Sequence, residues 1–143
     1  MNISRKEEGF TLIELLIVMV ILGLLVSLVG PRMFGKVGTS KQKTAKAQIS
    51  LFETSLDTYR LDVGKYPTTE QGLQALRVKP EGAEKWDGPY LPKDVPLDPW
   101  GKPYVYESPG KHGDYDIIAL GADGRSGGEG EDTDIASWAN IGQ

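Results

Sequence analysis

The feature that most limits what this chain can become is Phe10–Val29, FTLIELLIVMVILGLLVSLV, where only Thr11, Glu14, Gly23 and Ser27 interrupt twenty residues of apolar side chains. As an α-helix rising 1.5 Å per residue, the run is about 30 Å long, the thickness of a bilayer's hydrocarbon core. A core helix of a water-soluble domain is excluded by supply. Residues 30–143 are too few to cover a rod that is apolar on every side. A removable secretory signal fits no better, since its apolar stretch is usually ~7–15 residues and closes on an A-x-A-like site. The run therefore reads as a membrane span.

Gly30-Pro31 follows at once. Proline removes a helix hydrogen bond and restricts the residue before it, so a kink or unwound linker is expected over 30–39. Polar helix resumes near Ser40. Ala45, Ile49, Phe52, Leu56, Tyr59 and Val63 recur at spacings of 4, 3, 4, 3 and 4, one apolar stripe of an amphipathic helix. Gly64 is the expected stop.

Beyond it, Thr69 is a candidate cap for a short helix reaching about Leu76. Residues 79–103 are rich in Pro and Gly and read as extended loop. Pro103–Glu107 and Tyr115–Leu120 read as two strands flanking a turn-rich connector, enough for a small antiparallel sheet. The aromatic residues scattered through this part, among them Tyr59, Tyr104, Tyr106, Trp86 and Trp100, read as core rather than as a carbohydrate platform.

Charge and composition narrow the chemistry. The net charge is −4, with no basic excess that would favour nucleic acid. It is unevenly spread: +4 over 1–46, −2 over 47–106 and −6 over 107–143. The absence of cysteine rules out a disulfide framework, a thiolate metal site and a cysteine nucleophile. The one histidine, His112, leaves little material for zinc or a Ser-His-Asp triad, and it reads as an exposed turn residue.

In the last run Asp123, Glu129, Glu131, Asp132 and Asp134 crowd together among Gly121, Gly124, Gly127, Gly128 and Gly130. Calcium takes six to eight hard oxygens from carboxylates and carbonyls, and glycines let a backbone fold sharply enough to offer them. The spacing is not that of an EF-hand. From composition alone, a calcium loop and a solvated acidic loop both remain open.

Glu14 is the anomaly at the other end. A carboxylate at the centre of a span costs roughly 2.5–3.5 kcal/mol, less near an end, and asks for a partner. Behind a short polar leader, Gly9-Phe10-Thr11-Leu12-Ile13-Glu14 resembles the processing signature of the type IV pilin-like superfamily. The resemblance implies cleavage between Gly9 and Phe10 by a prepilin peptidase, N-methylation of the new N-terminus at Phe10, and an assembly role for Glu14. Freed, Phe10 carries an ammonium, which in a filament meets the Glu14 carboxylate of another subunit. The leader's side chains sum to zero, and Arg32, Lys36, Lys41 and Lys43 follow the span, a pattern that pulls against an N-in orientation. N-in is kept on the resemblance, because that family's peptidase acts on the cytoplasmic side.

The rest of the chain is similar to the major pseudopilins of type II secretion, the general secretion pathway protein G family. The strings that carry this are GKYPTTEQGLQAL at 64–76, WDGPYL at 86–91, DPWGKPYVY at 98–106 and YDIIALGADGRSGGEGEDTDI at 115–135. The disulfide loop usual in adhesive type IV pilins is missing. The similarity implies an α+β, ladle-shaped molecule without enzymatic activity. Residues 1–9 are a leader to be removed, 10–29 the membrane and filament-core helix, 30–39 the linker, and 40–143 a periplasmic amphipathic helix and head. It implies a structural calcium in the acidic loop, held by carboxylates of Asp123 and Asp132, then Asp134 or Thr133, with carbonyls of Leu120 and Ser126.

The expected role is a subunit of an inner-membrane-anchored, homopolymeric pseudopilus that drives folded exoproteins outward. Its partners would be minor pseudopilins, the peptidase/N-methyltransferase, and an assembly platform whose ATPase supplies the energy. The alternatives are a type IV pilin, a minor tip pseudopilin and a membrane-anchored periplasmic enzyme.

Overall fold

A computed structural model describes residues 8–139, with backbone only over 31–37. The expected leader at 1–9 therefore lies mostly outside the described residues, as do the side chains of Arg32 and Lys36. The fold is α+β: one long helix, two short 3₁₀ turns at Leu73–Leu76 and Gly130–Asp132, and a three-stranded antiparallel sheet. By compactness the chain divides into residues 1–37 and 38–143.

Helix α1 runs from Leu12 to Val63. Residues 30–39 are helical, so the unwound linker expected there is not the state of this backbone. A proline inside a helix removes one hydrogen bond and crowds the preceding turn, at about 3 kcal/mol. The backbone nevertheless stays helical through Pro31, although Gly30, Gly35 and Gly38 around it are poor helix formers. The first part of α1 is bare. Every large apolar side chain from Leu12 to Val29 is at least half exposed, and Leu12–Gly30 is long and apolar enough to cross a membrane.

The later part of α1 is packed as its stripe predicts. Ala45, Ile49, Phe52, Leu56 and Tyr59 are buried, and Val63 packs at the edge of the same core. Gly64 ends the helix with φ +91°, its N–H donating to the Arg60 carbonyl at 2.8 Å.

The sheet is β1 (Val105–Glu107), β2 (Asp116–Ala119) and β3 (Ile135–Ala136), in that spatial order. Tyr106 faces Ile117 across β1–β2, and Ala119 faces Ile135 across β2–β3. The first two strands fall within the runs expected at Pro103–Glu107 and Tyr115–Leu120. The third, two residues long, had no pattern to announce it.

Aromatic residues fill the space between helix and sheet. Phe52 meets Tyr104 edge-on at 5.0 Å, and Tyr59 meets Tyr90 at 5.7 Å. Two of their polar ends find backbone acceptors: Tyr106 OH donates to the Pro67 carbonyl and Trp86 Nε1 to that of Ala75, both at 2.8 Å, whereas Trp100 Nε1 is buried without a partner. Burial pushes the Tyr106 phenol up to about 12.

Thr68, not Thr69, caps the turn that leads to Leu73–Leu76. Its Oγ1 accepts from Gln71 N–H while Gln71 Oε1 accepts from Thr68 N–H. Thr69 instead ties the turn to the sheet, exchanging hydrogen bonds with the backbone of Ser108.

Candidate functional site

Two places carry chemistry, and each is built by its own local sequence. The first is the start of α1. Thr11 Oγ1 accepts from Glu14 N–H at 3.3 Å, and Glu14 Oε2 accepts from Thr11 N–H at 3.2 Å. This is a capping box, in which each side chain accepts from the other residue's otherwise unpaired backbone N–H. The T-x-x-E spacing was present in the sequence, and it gives Glu14 a structural partner that the assembly role alone does not. A carboxylate also sits favourably at the positive end of a helix dipole. Gly9 precedes this box and Phe10 is 93% exposed, so the bond between them is open to a peptidase.

The box depends only on Thr11 and Glu14. Removal of residues 1–9 would leave it intact and place an ammonium at Phe10, one residue from the cap. A carboxylate offers about four lone-pair positions, so the Thr11 bond leaves capacity for a second donor.

The second place is the loop from Leu120 to Asp134, between β2 and β3. Its ends are drawn together by Ala122 N–H donating to the Glu131 carbonyl at 3.0 Å. Gly121 turns the chain with φ +73° at closest approach to Asp132, where a Cβ would lie 2.8 Å from backbone atoms. Gln42 of α1 reaches across to the Gly130 carbonyl at 2.6 Å.

The predicted donors are distributed along this loop. Asp123 Oδ1 accepts from Arg125 N–H at 3.0 Å, and Asp134 Oδ2 accepts from Gly127 N–H at 2.8 Å. Asp132 and Asp134 are half-buried, whereas Asp123, Glu129 and Glu131 are exposed. Among the described residues, no three His, Cys, Asp or Glu side chains converge where a metal would sit. One observation does fit a hard cation: Asp134 Oδ1 is buried without a hydrogen-bond partner, and an unpaired buried carboxylate oxygen is costly.

His112 is exposed in the connector, as its position suggests, and it also makes specific contacts. Its ring stacks on Trp138 at 3.8 Å, and its Nδ1 lies 3.0 Å from Asp116 Oδ2. Asp116 also accepts from the N–H groups of Lys111 and His112. Burial raises the Asp116 carboxyl, but these hydrogen bonds outweigh it and hold the group below the usual carboxylate range. The cluster fixes the segment after β3 against the connector before β2.

A lone apolar helix opening on a methylation-type motif, continued by an amphipathic helix packed on a small sheet, defines a pilin-like subunit. Comparison with known proteins narrows the class. The family model for type II secretion system (T2SS) protein G matches residues 32–138, and that for the prokaryotic N-terminal methylation motif matches residues 4–30. The type II secretion system core protein G of Vibrio cholerae is 47% identical over 141 residues, covering 96% of both chains. Its counterpart in Pseudomonas aeruginosa is 45% identical over 139 residues, covering 95% of this chain and 98% of that one. The crystal structure of the major pseudopilin from the type 2 secretion system of enterohaemorrhagic Escherichia coli superposes with a TM-score of 0.64 at 36% identity, covering 76% of this chain and 95% of that chain. The chain belongs to the type II secretion system protein G family.

Proposed function

We propose that this chain is the major pseudopilin subunit of a type II secretion system, anchored in the inner membrane with its head in the periplasm. Many copies polymerise into a pseudopilus whose growth drives folded exoproteins outward. Residues 10–29 of neighbouring subunits pack in the filament centre, exchanging lipid for protein contact, so fit between side chains matters more there than hydrophobicity. The carrying observation is the bare apolar helix capped by Thr11 and Glu14 in a chain of the protein G family.

Peptidase cleavage after Gly9 and methylation of Phe10 would supply the ammonium that Glu14 of a neighbour requires. Two groups that are expensive alone in lipid then neutralise each other. Energy comes from a partner ATPase at the assembly platform, and minor pseudopilins complete the fibre. Gly30-Pro31 is the weakest point of α1 and the natural place for it to unwind on assembly.

The acidic loop is read as a calcium site. Asp123, Asp132 and Asp134 would supply carboxylates, and Leu120 and Ser126 carbonyls. Bound calcium would neutralise part of the acidic tail and give the buried Asp134 Oδ1 a partner. Chelator is expected to lower the thermal midpoint and protease resistance of the protein, and Asp123→Ala to do the same. Indifference to chelator would remove the metal from this account.

The function itself is tested by Glu14→Leu expressed with the peptidase. The variant is expected to be cleaved yet to form no fibres and support no secretion. Fibres like those of the wild type would overturn the proposed pairing.

A further inference from the structure

The acidic loop already holds a cation that belongs to the chain. Lys102 Nζ donates to the Ala122 carbonyl at 2.8 Å. The lysine stem lies on Gly124, where a Cβ would come 2.6 Å from Nζ and 2.9 Å from Cδ and Cε. Gly124 has φ +65°, a backbone conformation that disfavours a side chain, and any added Cβ would push the lysine tip aside.

The other end of the lysine is equally fixed. Asp98 is only 4% exposed. Its Oδ1 accepts from the N–H groups of Lys102 at 2.8 Å and Trp100 at 3.0 Å. Asp98 N–H donates to the Lys102 carbonyl at 2.7 Å, and Gly101 N–H to the Asp98 carbonyl at 2.9 Å. Residues 98–102, DPWGK, thus form a closed bracket just before β1. The bracket presents an ammonium to a loop that carries five acids, Asp123, Glu129, Glu131, Asp132 and Asp134, against one base, Arg125.

We propose that Lys102 is a positioning residue for the calcium loop. It holds Ala122–Gly124 in place while the metal is absent, so that calcium meets a loop already near its bound shape. The inference rests on the calcium reading above. The Ala122 carbonyl is not among the proposed metal donors, so the lysine takes no ligand from the ion. A charge-assisted hydrogen bond of this kind is stronger than a neutral one, and fixing a loop beforehand removes ordering cost from binding. Once calcium is bound, the ion does the same work and the lysine matters less.

The test is amide hydrogen exchange across residues 121–134 of the full chain in detergent, in excess chelator and in excess calcium. In chelator, Lys102→Met is expected to exchange about tenfold faster than wild type over this loop, the size of one charge-assisted hydrogen bond. In calcium the difference should fall below about twofold, and Lys102→Arg should restore protection in chelator. Protection of β1 and β2 reports that the head remains folded, and Lys102→Gln replaces the methionine variant if it does not. Equal exchange of variant and wild type in chelator would overturn the proposal, as would an acceleration of the same size in both conditions. A wild-type loop whose exchange ignores calcium would refute the calcium reading instead, leaving the lysine's role to the chelator arm alone.

Discussion

Replacing Gly121 with alanine separates close packing from backbone conformation when it is set beside Gly127→Ala. Both glycines have positive φ, +73° and +84°, and both lie in the acidic loop. A left-handed alanine costs roughly 1–2 kcal/mol, offset by about 0.4–1 kcal/mol because alanine restricts the unfolded chain. Gly127 has nothing within 4 Å of an added Cβ, so its variant should lose no more than about 1.6 kcal/mol.

At Gly121 the Cβ would meet the carbonyl carbon and oxygen of Asp132 at 2.8 Å and the Glu131 oxygen at 3.0 Å. Those are backbone atoms, which cannot swing aside as a side-chain tip does. The 3₁₀ turn at Gly130–Asp132 must shift, which costs about 1–3 kcal/mol as overpacking. The shift also strains the bond from Ala122 N–H to the Glu131 carbonyl, worth about 1 kcal/mol. Gly121→Ala should therefore be about 2–4 kcal/mol less stable than Gly127→Ala. Urea unfolding followed by tryptophan fluorescence measures this as a difference in midpoint at constant slope. Equal midpoints would show that the loop does not close against Asp132 as described.

Other substitutions probe other contacts. Phe52→Ala empties a fully buried site beside Tyr104 and should lose about 3–5 kcal/mol in the same assay. Asp116 is held below the usual carboxylate range in the folded state, so its contribution is complete above the unfolded value and lost as pH falls through the folded one. Asp116→Asn should therefore flatten the acid limb of the stability profile, and an unchanged limb would place that acid sensitivity elsewhere. Thr11→Val removes the side-chain half of the capping box and should weaken the first turn by about 1 kcal/mol. Amide exchange at Glu14 and Leu15 in micelles reads this directly, and unaltered exchange would speak against the box.

Periodic features were legible because burial repeats along an element. The 45–63 stripe declares a helix through spacing, the span through its unbroken apolar length, and β1 and β2 through short apolar and aromatic runs on either side of a turn-rich connector. The T-x-x-E box was equally readable but hidden inside a motif that already had another explanation. What escaped the sequence depends on partners far apart in the chain. Gln42 on Gly130, Lys102 on Ala122 and His112 on Trp138 have no local spacing that announces them. The two-residue β3 is too short to alternate, and Thr68 rather than Thr69 became a cap because only Thr68 stands three residues before Gln71. In the acidic loop the residue types were evident, but their directions were not: Glu129 is exposed, Glu131 lays its side chain against Gly38 of α1, and Asp134 turns inward.

The intact mass of the subunit recovered from assembled fibres bears most directly on whether this apolar helix polymerises through a newly made amino terminus. The expected mass is that of a subunit that lacks residues 1–9 and carries one added methyl group on Phe10. Fibres built from chains that still begin at Met1 would contradict the account, because no ammonium would then stand beside Glu14.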